Sequence, residues 1–347
     1  EPVISLLRGF SAPVKIEMET SDSDLAFLMA YDTDDFNRWE ASQRLMTRVL
    51  LTVYEDIRSG KDPQALPEEF IDAIKQVLTA TAKDTQLQAY MLLLPDEITL
   101  SGNLELIDPT ALHKARVHVK QTIANKLEAE FRAKYGSLST GAEYELTAEE
   151  VGRRRMRNLC LSYLVSSEAD DSKSIAASHF KSANSMTDKL AALGELVNLS
   201  GSEERESALE VFFKDANGDA LVINKWFALQ AMASAEDTLE KVKALSNHES
   251  FTLKNPNRAR SLFGVFGGNM HIFHREDGKG YEFLADAIIK LDTLNPQIAA
   301  RLLGPFGLWK RYDENRQSMM KLQLQRILDK QGLSPDTFEV ASRYANA

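Results

Sequence analysis

An all-α fold, an irregular and solenoid-like helical superhelix with a short N-terminal β segment, is what this sequence predicts. Three observations carry that expectation. From about residue 20 onward, apolar residues recur at spacings of three, four and seven, the period of a helix buried along one face. Turn formers are scarce, with 17 Gly and 10 Pro in 347 residues, below the roughly 12% usual for proteins, so long elements are favoured over many short strands. Residues 1–18 alone break the pattern: Pro2 to Leu7 is a short apolar run, and Val14 to Met18 alternates apolar and charged residues with period two, the signature of a strand.

The first helix expected is long, with Phe36, Trp39, Met46, Leu50, Val53 and Ile57 on one stripe that stops at Ser59-Gly60. Pro67 with Glu68 and Glu69 opens a shorter one through Leu78. Leu112, Val119, Ile123, Leu127 and Phe131 form a second long stripe between Asp108-Pro109 and Gly136. Thr147 and Glu150 have capping-box spacing ahead of a helix from about Val151 to Leu164. Asn255-Pro256, Asn295-Pro296 and Ser334-Pro335 each place a capping side chain before a proline at the first helical position. Helix pairs recur on the scale of helical solenoids, without a repeating consensus. Two strands at the N terminus cannot make a stable sheet alone. Their partners would come from the helical body or from outside this chain, which opens on Glu1 inside a strand-like pattern and is expected to be a piece of something longer.

A net charge of −10 argues against non-specific binding to nucleic acid or to an anionic membrane. The one basic run, Arg153 to Arg155 with Arg157, reads as the solvated face of a helix. Cys160, the single cysteine, sits between Leu159 and Leu161 as a buried thiol, and its isolation fits a reducing, cytoplasmic location. No apolar run is long enough to span a bilayer.

Catalytic signatures are lacking. His248-Glu249 begins a zinc-peptidase H-E-x-x-H, but Thr252 stands where the second histidine belongs. His271 and His274 could share a helix face, which by itself favours packing over metal ligation. Asp215 to Asp219 imitates the start of a calcium loop, yet Ala220 and Trp226 occupy the positions of its Gly and its bidentate Glu, so an interhelix turn or hairpin is expected. Asp277-Gly278-Lys279-Gly280 reads as a tight turn. The sequence therefore predicts no metal or cofactor site and no catalytic residue in this chain.

Several segments resemble, in order, the C-terminal part of the aminopeptidase N family of zinc peptidases, of bacterial and protozoan type. These are PVISLLRGFSAPVK at residues 2–15, Arg157 to Leu161, NSMTD at 184–188, Lys225-Trp226-Phe227, NPNRARSL at 255–262, DGKGY at 277–281, NPQIAARL at 295–302 and RYDENRQ at 311–317. The resemblance implies that residues 1–18 end a small β-sandwich domain and that 19–347 form a C-terminal helical domain. It implies a longer parent that removes N-terminal residues from peptides, with zinc held in a catalytic domain that is the partner of this one. The helical domain would wall the cavity through which peptides reach the metal. Arg260 and Arg301 match family arginines that meet the carboxylate end of a bound peptide, a task suited to guanidinium forks; Arg258 and Arg311 are expected to be structural. The pattern departs at Ala259, where a larger aliphatic is usual, and in the loop from Gly267 to His271, which lacks a proline. The alternative from a different class is a free-standing helical scaffold that binds other proteins.

Overall fold

A computed structural model describes residues 2–14, 16, 18–141 and 143–346. The described residues are helical, with no strand among them. Twenty α-helices follow one another: α1 Asp22–Tyr31, α2 Asp35–Arg58, α3 Glu68–Thr79, α4 Thr85–Met91, α5 Glu97–Ser101, α6 Pro109–Lys126, α7 Glu128–Ser137, α8 Ala148–Ser166, α9 Ser172–Ser182, α10 Met186–Leu196, α11 Glu203–Asp215, α12 Ala220–Met232, α13 Thr238–Leu245, α14 Pro256–Ala259, α15 Val265–Gly268, α16 Met270–Phe273, α17 Lys279–Asp292, α18 Pro296–Leu302, α19 Glu314–Leu328 and α20 Pro335–Ala345. A π-turn, Arg260–Gly264, joins α14 to α15, and a 3₁₀ segment, Gly304–Arg311, precedes α19.

The helices group into two compact units, Glu1–Gly102 with Ala111–Glu195, and Asn103–Thr110 with Leu196–Ala347. In the first, α1 packs on α2 and α3, and α8 packs on α4, α7 and α9. Leu112, Val119, Ile123, Leu127 and Phe131 are all buried, as the stripe required, and Phe131 stacks on Tyr163 of α8 at 4.4 Å. The α2 stripe is buried from Met46 to Val53, but Phe36 at its start is 38% exposed. Cys160 is fully buried, and desolvation pushes its thiol up to about 12, so it is not a nucleophile at neutral pH.

In the second unit, α17 packs on α18 and α19, and α20 closes against α18 and α19. Residues 103–110 join it through backbone and side chain. Ile107 N donates to Arg311 O at 2.6 Å, Arg311 binds Leu104 O, and Arg316 Nη2 donates to Thr110 Oγ1 at 3.0 Å. The three proline-led helices start as the sequence predicts. Asn255 accepts from the amides of Asn257 and Arg258, Asn295 from Ile298, and Ser334 from Thr337. Asp219, at the end of the calcium-loop imitation, caps α12 instead.

Two expectations are corrected. The N-terminal β segment is not present. Lys15 and Glu17 of the alternating stretch lie outside the described residues; the remainder is coil with a 3₁₀ turn, Arg8–Phe10. The reason is the one that limits any short strand: alternation specifies a face, but a strand exists only where a neighbour takes its hydrogen bonds. Here the segment bonds to helix ends. Arg8 Nη1 reaches Asp32 at 2.7 Å, Gly9 N donates to Asp34, and Asn37 Nδ2 donates to Leu6 O. The second correction concerns the basic run, which is not a solvated face. Arg154 is buried, with Nη2 on Glu145 O at 2.9 Å, and Arg153 binds Glu150 and Leu138 O. Arg157 approaches the buried Asp188 at 3.7 Å. Only Arg155 faces outward.

Candidate functional site

The region around Arg260 is built by a break in helical register. Asn255 and Pro256 start α14, and the residues from Arg258 to Arg260 are turned to opposite uses. Arg258 and Ala259 are buried, while Arg260 is exposed and donates through Nη2 to Asn257 Oδ1. The chain then widens into the π-turn, Arg260–Gly264, before α15 resumes the α pattern. Such single-turn widenings occur frequently at functional sites, because they re-aim one side chain without ending the helix. Gly264, inside the turn, faces α18: a Cβ built there would make ordinary van der Waals contact with Leu302 Cδ2 at 3.7 Å. Arg301 precedes Leu302. Its neighbours Ala300 and Leu302 are buried, and Arg301 itself is exposed. The two arginines singled out in the sequence are thus carried by packed, adjoining segments. Neither is ion-paired to a carboxylate among the described residues.

Arg258 lies on the buried side of the same segment. Its guanidinium sits 5.0 Å over the Phe227 ring, within cation–π range. Burial lowers its pKa from the ordinary value, and its buried Nε and Nη1 meet no acceptor. The Phe227 ring belongs to a cluster with Trp226, His248 and Phe251. The loop that departs at Gly267 is held differently. Asn269 Nδ2 donates to the carbonyls of Ala231 and Ala233, and a Cβ at Gly267 would meet Pro305 Cγ at 2.8 Å.

The remaining sequence candidates resolve into structural parts. His274 is buried against Tyr281 and Tyr312; desolvation lowers it to about 3, so it stays neutral. His248 accepts the Ser250 amide. Among the described residues no three His, Cys, Asp or Glu side chains converge to hold a metal.

A family model described as "Domain of unknown function (DUF3458_C) ARM repeats" matches residues 22–346. The chain belongs to this family of helical repeats. Among curated relatives, the domain is 39% identical to aminopeptidase N of Caulobacter vibrioides over 344 residues, 99% of this chain and 39% of that protein. It is 38% identical to aminopeptidase N of Escherichia coli over 340 residues, 98% of this chain and 39% of that one. Among solved structures it is similar to Legionella pneumophila aminopeptidase A, crystallised in complex with aspartic acid, with TM-score 0.86 and 32% identity over 98% of this chain and 40% of that one. The ARM-repeat domain therefore spans about 39% of the length of the curated relatives it matches. The matched region begins at 22, so the coil before α1 stands outside the family model. No helix among the described residues is long and apolar enough to cross a membrane.

Arg260 and Arg301 were reached through the resemblance, because nothing in their spacing distinguishes them from other surface arginines. What the sequence missed is the open donor set of Arg258. An arginine with no acid within four residues on either side, next to a capping Asn-Pro, was the available signal.

Proposed function

We propose that this ARM-repeat domain is the C-terminal helical domain of an aminopeptidase that removes N-terminal residues from peptides. It walls the cavity above a catalytic domain carried elsewhere in the same polypeptide, its principal partner. That domain would hold zinc, which supplies an activated water. This chain's own residues exclude bulk water and folded proteins and orient the far end of the peptide. One observation carries the reading: Arg260 and Arg301 are exposed, unneutralised guanidinium groups on two segments packed through Gly264 and Leu302. Such groups are available to a peptide's C-terminal carboxylate, and charge-assisted pairing of this kind is among the stronger polar contacts. A free-standing scaffold, the alternative, would leave both arginines without an occupant.

The test is kinetic, in the full-length parent. Arg260→Ala and Arg301→Ala are each expected to raise KM for tri- and tetrapeptides about tenfold, the scale of one lost charge-assisted contact, with kcat little changed. Single-residue chromogenic amides, which lack the carboxylate, are expected to keep their KM. Equal losses on both substrate types would remove the carboxylate role.

A further inference from the structure

Asn257 holds Arg260 twice. Its main-chain oxygen accepts the Arg260 backbone N–H, and its Oδ1 accepts from Arg260 Nη2. A guanidinium only donates, so the amide oxygen is the atom that faces it. Asn257 is fixed in turn, because its own backbone N–H donates to Asn255 Oδ1 at 3.0 Å.

Elsewhere in this chain the same spacing is filled by an acid. Arg38, Arg58, Arg153 and Arg316 meet Asp35, Glu55, Glu150 and Asp313, each three residues earlier, at 2.6 to 4.0 Å. A carboxylate at this spacing orients a helical arginine and also neutralises it. Asn257 does only the first. Residues 254–262 contain no Asp or Glu, so no near neighbour in sequence supplies the missing charge. Asn257 and Arg260 are both exposed, and a free arginine there samples many rotamers and loses that freedom on binding. A hydrogen bond that selects one rotamer beforehand lowers this cost. A neutral acceptor does so while leaving the whole positive charge to a ligand.

We propose that Asn257 is a positioning residue for peptide binding, which pre-orients the Arg260 guanidinium for the peptide's C-terminal carboxylate without neutralising it. The inference rests on the reading of Arg260 as a carboxylate contact and adds to it a requirement for an uncharged acceptor at 257. An aspartate there would accept the same hydrogen bond, but its carboxylate would compete with that of the peptide for one guanidinium. The helix does not oppose this exchange, since an acid in the first turn is favourable. An alanine would leave the charge available and lose only the orientation.

The test uses the full-length parent and two forms of one tripeptide, the free acid and its C-terminal carboxamide. It reads the ratio of KM for the carboxamide to KM for the acid. General damage to the enzyme raises both constants and cancels in the ratio, whereas a change at the carboxylate contact does not. Arg260→Ala is expected to lower the ratio about tenfold, the scale of one charge-assisted contact. Asn257→Ala should lower it about threefold, the scale of one unrestrained long side chain, and Asn257→Asp nearly as far as Arg260→Ala. In the Arg260→Ala background, Asn257→Asp should change the ratio by less than about twofold, because the residue acts through the guanidinium. An unchanged ratio in Asn257→Asp overturns the proposal. So do equal ratios in Asn257→Ala and Asn257→Asp, or an Asn257→Asp effect that persists without Arg260. If the ratio falls in Arg260→Ala but in neither Asn257 variant, this inference fails and the carboxylate reading stands. If Arg260→Ala leaves the ratio unchanged, the carboxylate reading fails and this inference with it.

Discussion

Replacing Asp237 by Ala is expected to destabilise the second compact unit by about 3 kcal/mol, the scale at which a buried charge loses its hydrogen-bonded counter-ion. Arg205, in the first turn of α11, has a side chain with 0% exposure. Its Nη1 donates to both Asp237 oxygens, at 2.8 and 3.1 Å, while Nε and Nη2 are buried without a hydrogen-bond partner. The pair ties α11 to the start of α13, so removing the carboxylate leaves the guanidinium with only the exposed Glu206, 4.0 Å from Nε, to offset its desolvation. The carboxyl of Asp237 is a third exposed, and water entering there moderates the loss, which is why a value at the low end of the buried-pair range is expected. Arg205→Met in the Asp237→Ala background should recover most of it, since an apolar side chain of similar volume removes the stranded charge. Urea unfolding of the two single variants and the double variant, read as midpoints at constant slope, completes the cycle. Additive losses would mean that the pair is not coupled.

The same contact has a pH signature. Burial raises the Asp237 carboxyl, but the hydrogen bond and charge of Arg205 outweigh it, and the net shift is downward from 3.8. A carboxylate depressed in the folded state contributes stability that is present above pH 4 and lost as pH falls through the lowered value. The stability of Asp237→Ala should therefore fall less steeply than that of the parent chain below pH 4.

Long helices were legible in this sequence because their stripes were complete. Leu112 to Phe131 offers five apolar residues and all five are buried, although the one long helix expected there divides at Leu127 into α6 and α7. The proline-led starts were legible for a local reason, since an Asx or Ser side chain reaches the amides two or three residues on, whatever the rest of the molecule does. The N-terminal alternation was misleading because a strand is a property of two segments. The run at Arg153 failed similarly. Its neighbours Leu138 O, Glu145 O and Asp188 lie 9 to 31 residues away in sequence, and no helical periodicity reports on acceptors at that range. The candidate site divides the same way. The Asn255-Pro256 cap could be read directly, whereas the π-turn that begins at Arg260 has no capping residue or proline to announce it.

Gly280→Ala is expected to cost 3 kcal/mol or more, by about, although alanine is ordinarily the better helix former by roughly 1 kcal/mol. Gly280 is the second residue of α17, which begins after Gly278 at φ 67°. A Cβ at 280 would stand 2.3 Å from Phe273 O and 3.0 Å from its carbonyl carbon and Cα. These are backbone atoms, so no rotamer change relieves the clash, and either α17 or the end of α16 must move. Neither is free to do so. Phe273 is fully buried, with Phe266, Tyr281 and Phe306 rings 6.1, 5.1 and 5.6 Å away. Tyr281 is held to His274 Nδ1 at 3.0 Å, and Arg316 Nε donates to His274 O at 2.8 Å. A shift large enough to admit the methyl would break this network in the middle of the unit's core. Gly136→Ala supplies the control. It lies near the end of α7, has no atom within 4 Å of a built Cβ, and should be neutral or stabilising by up to about 1 kcal/mol. Trp226 and Trp309 belong to the second unit and Trp39 to the first, so urea unfolding followed by fluorescence of the otherwise unaltered chain reads both substitutions. A loss at Gly280 no larger than the change at Gly136 would show that α17 does not rest on the Phe273 backbone.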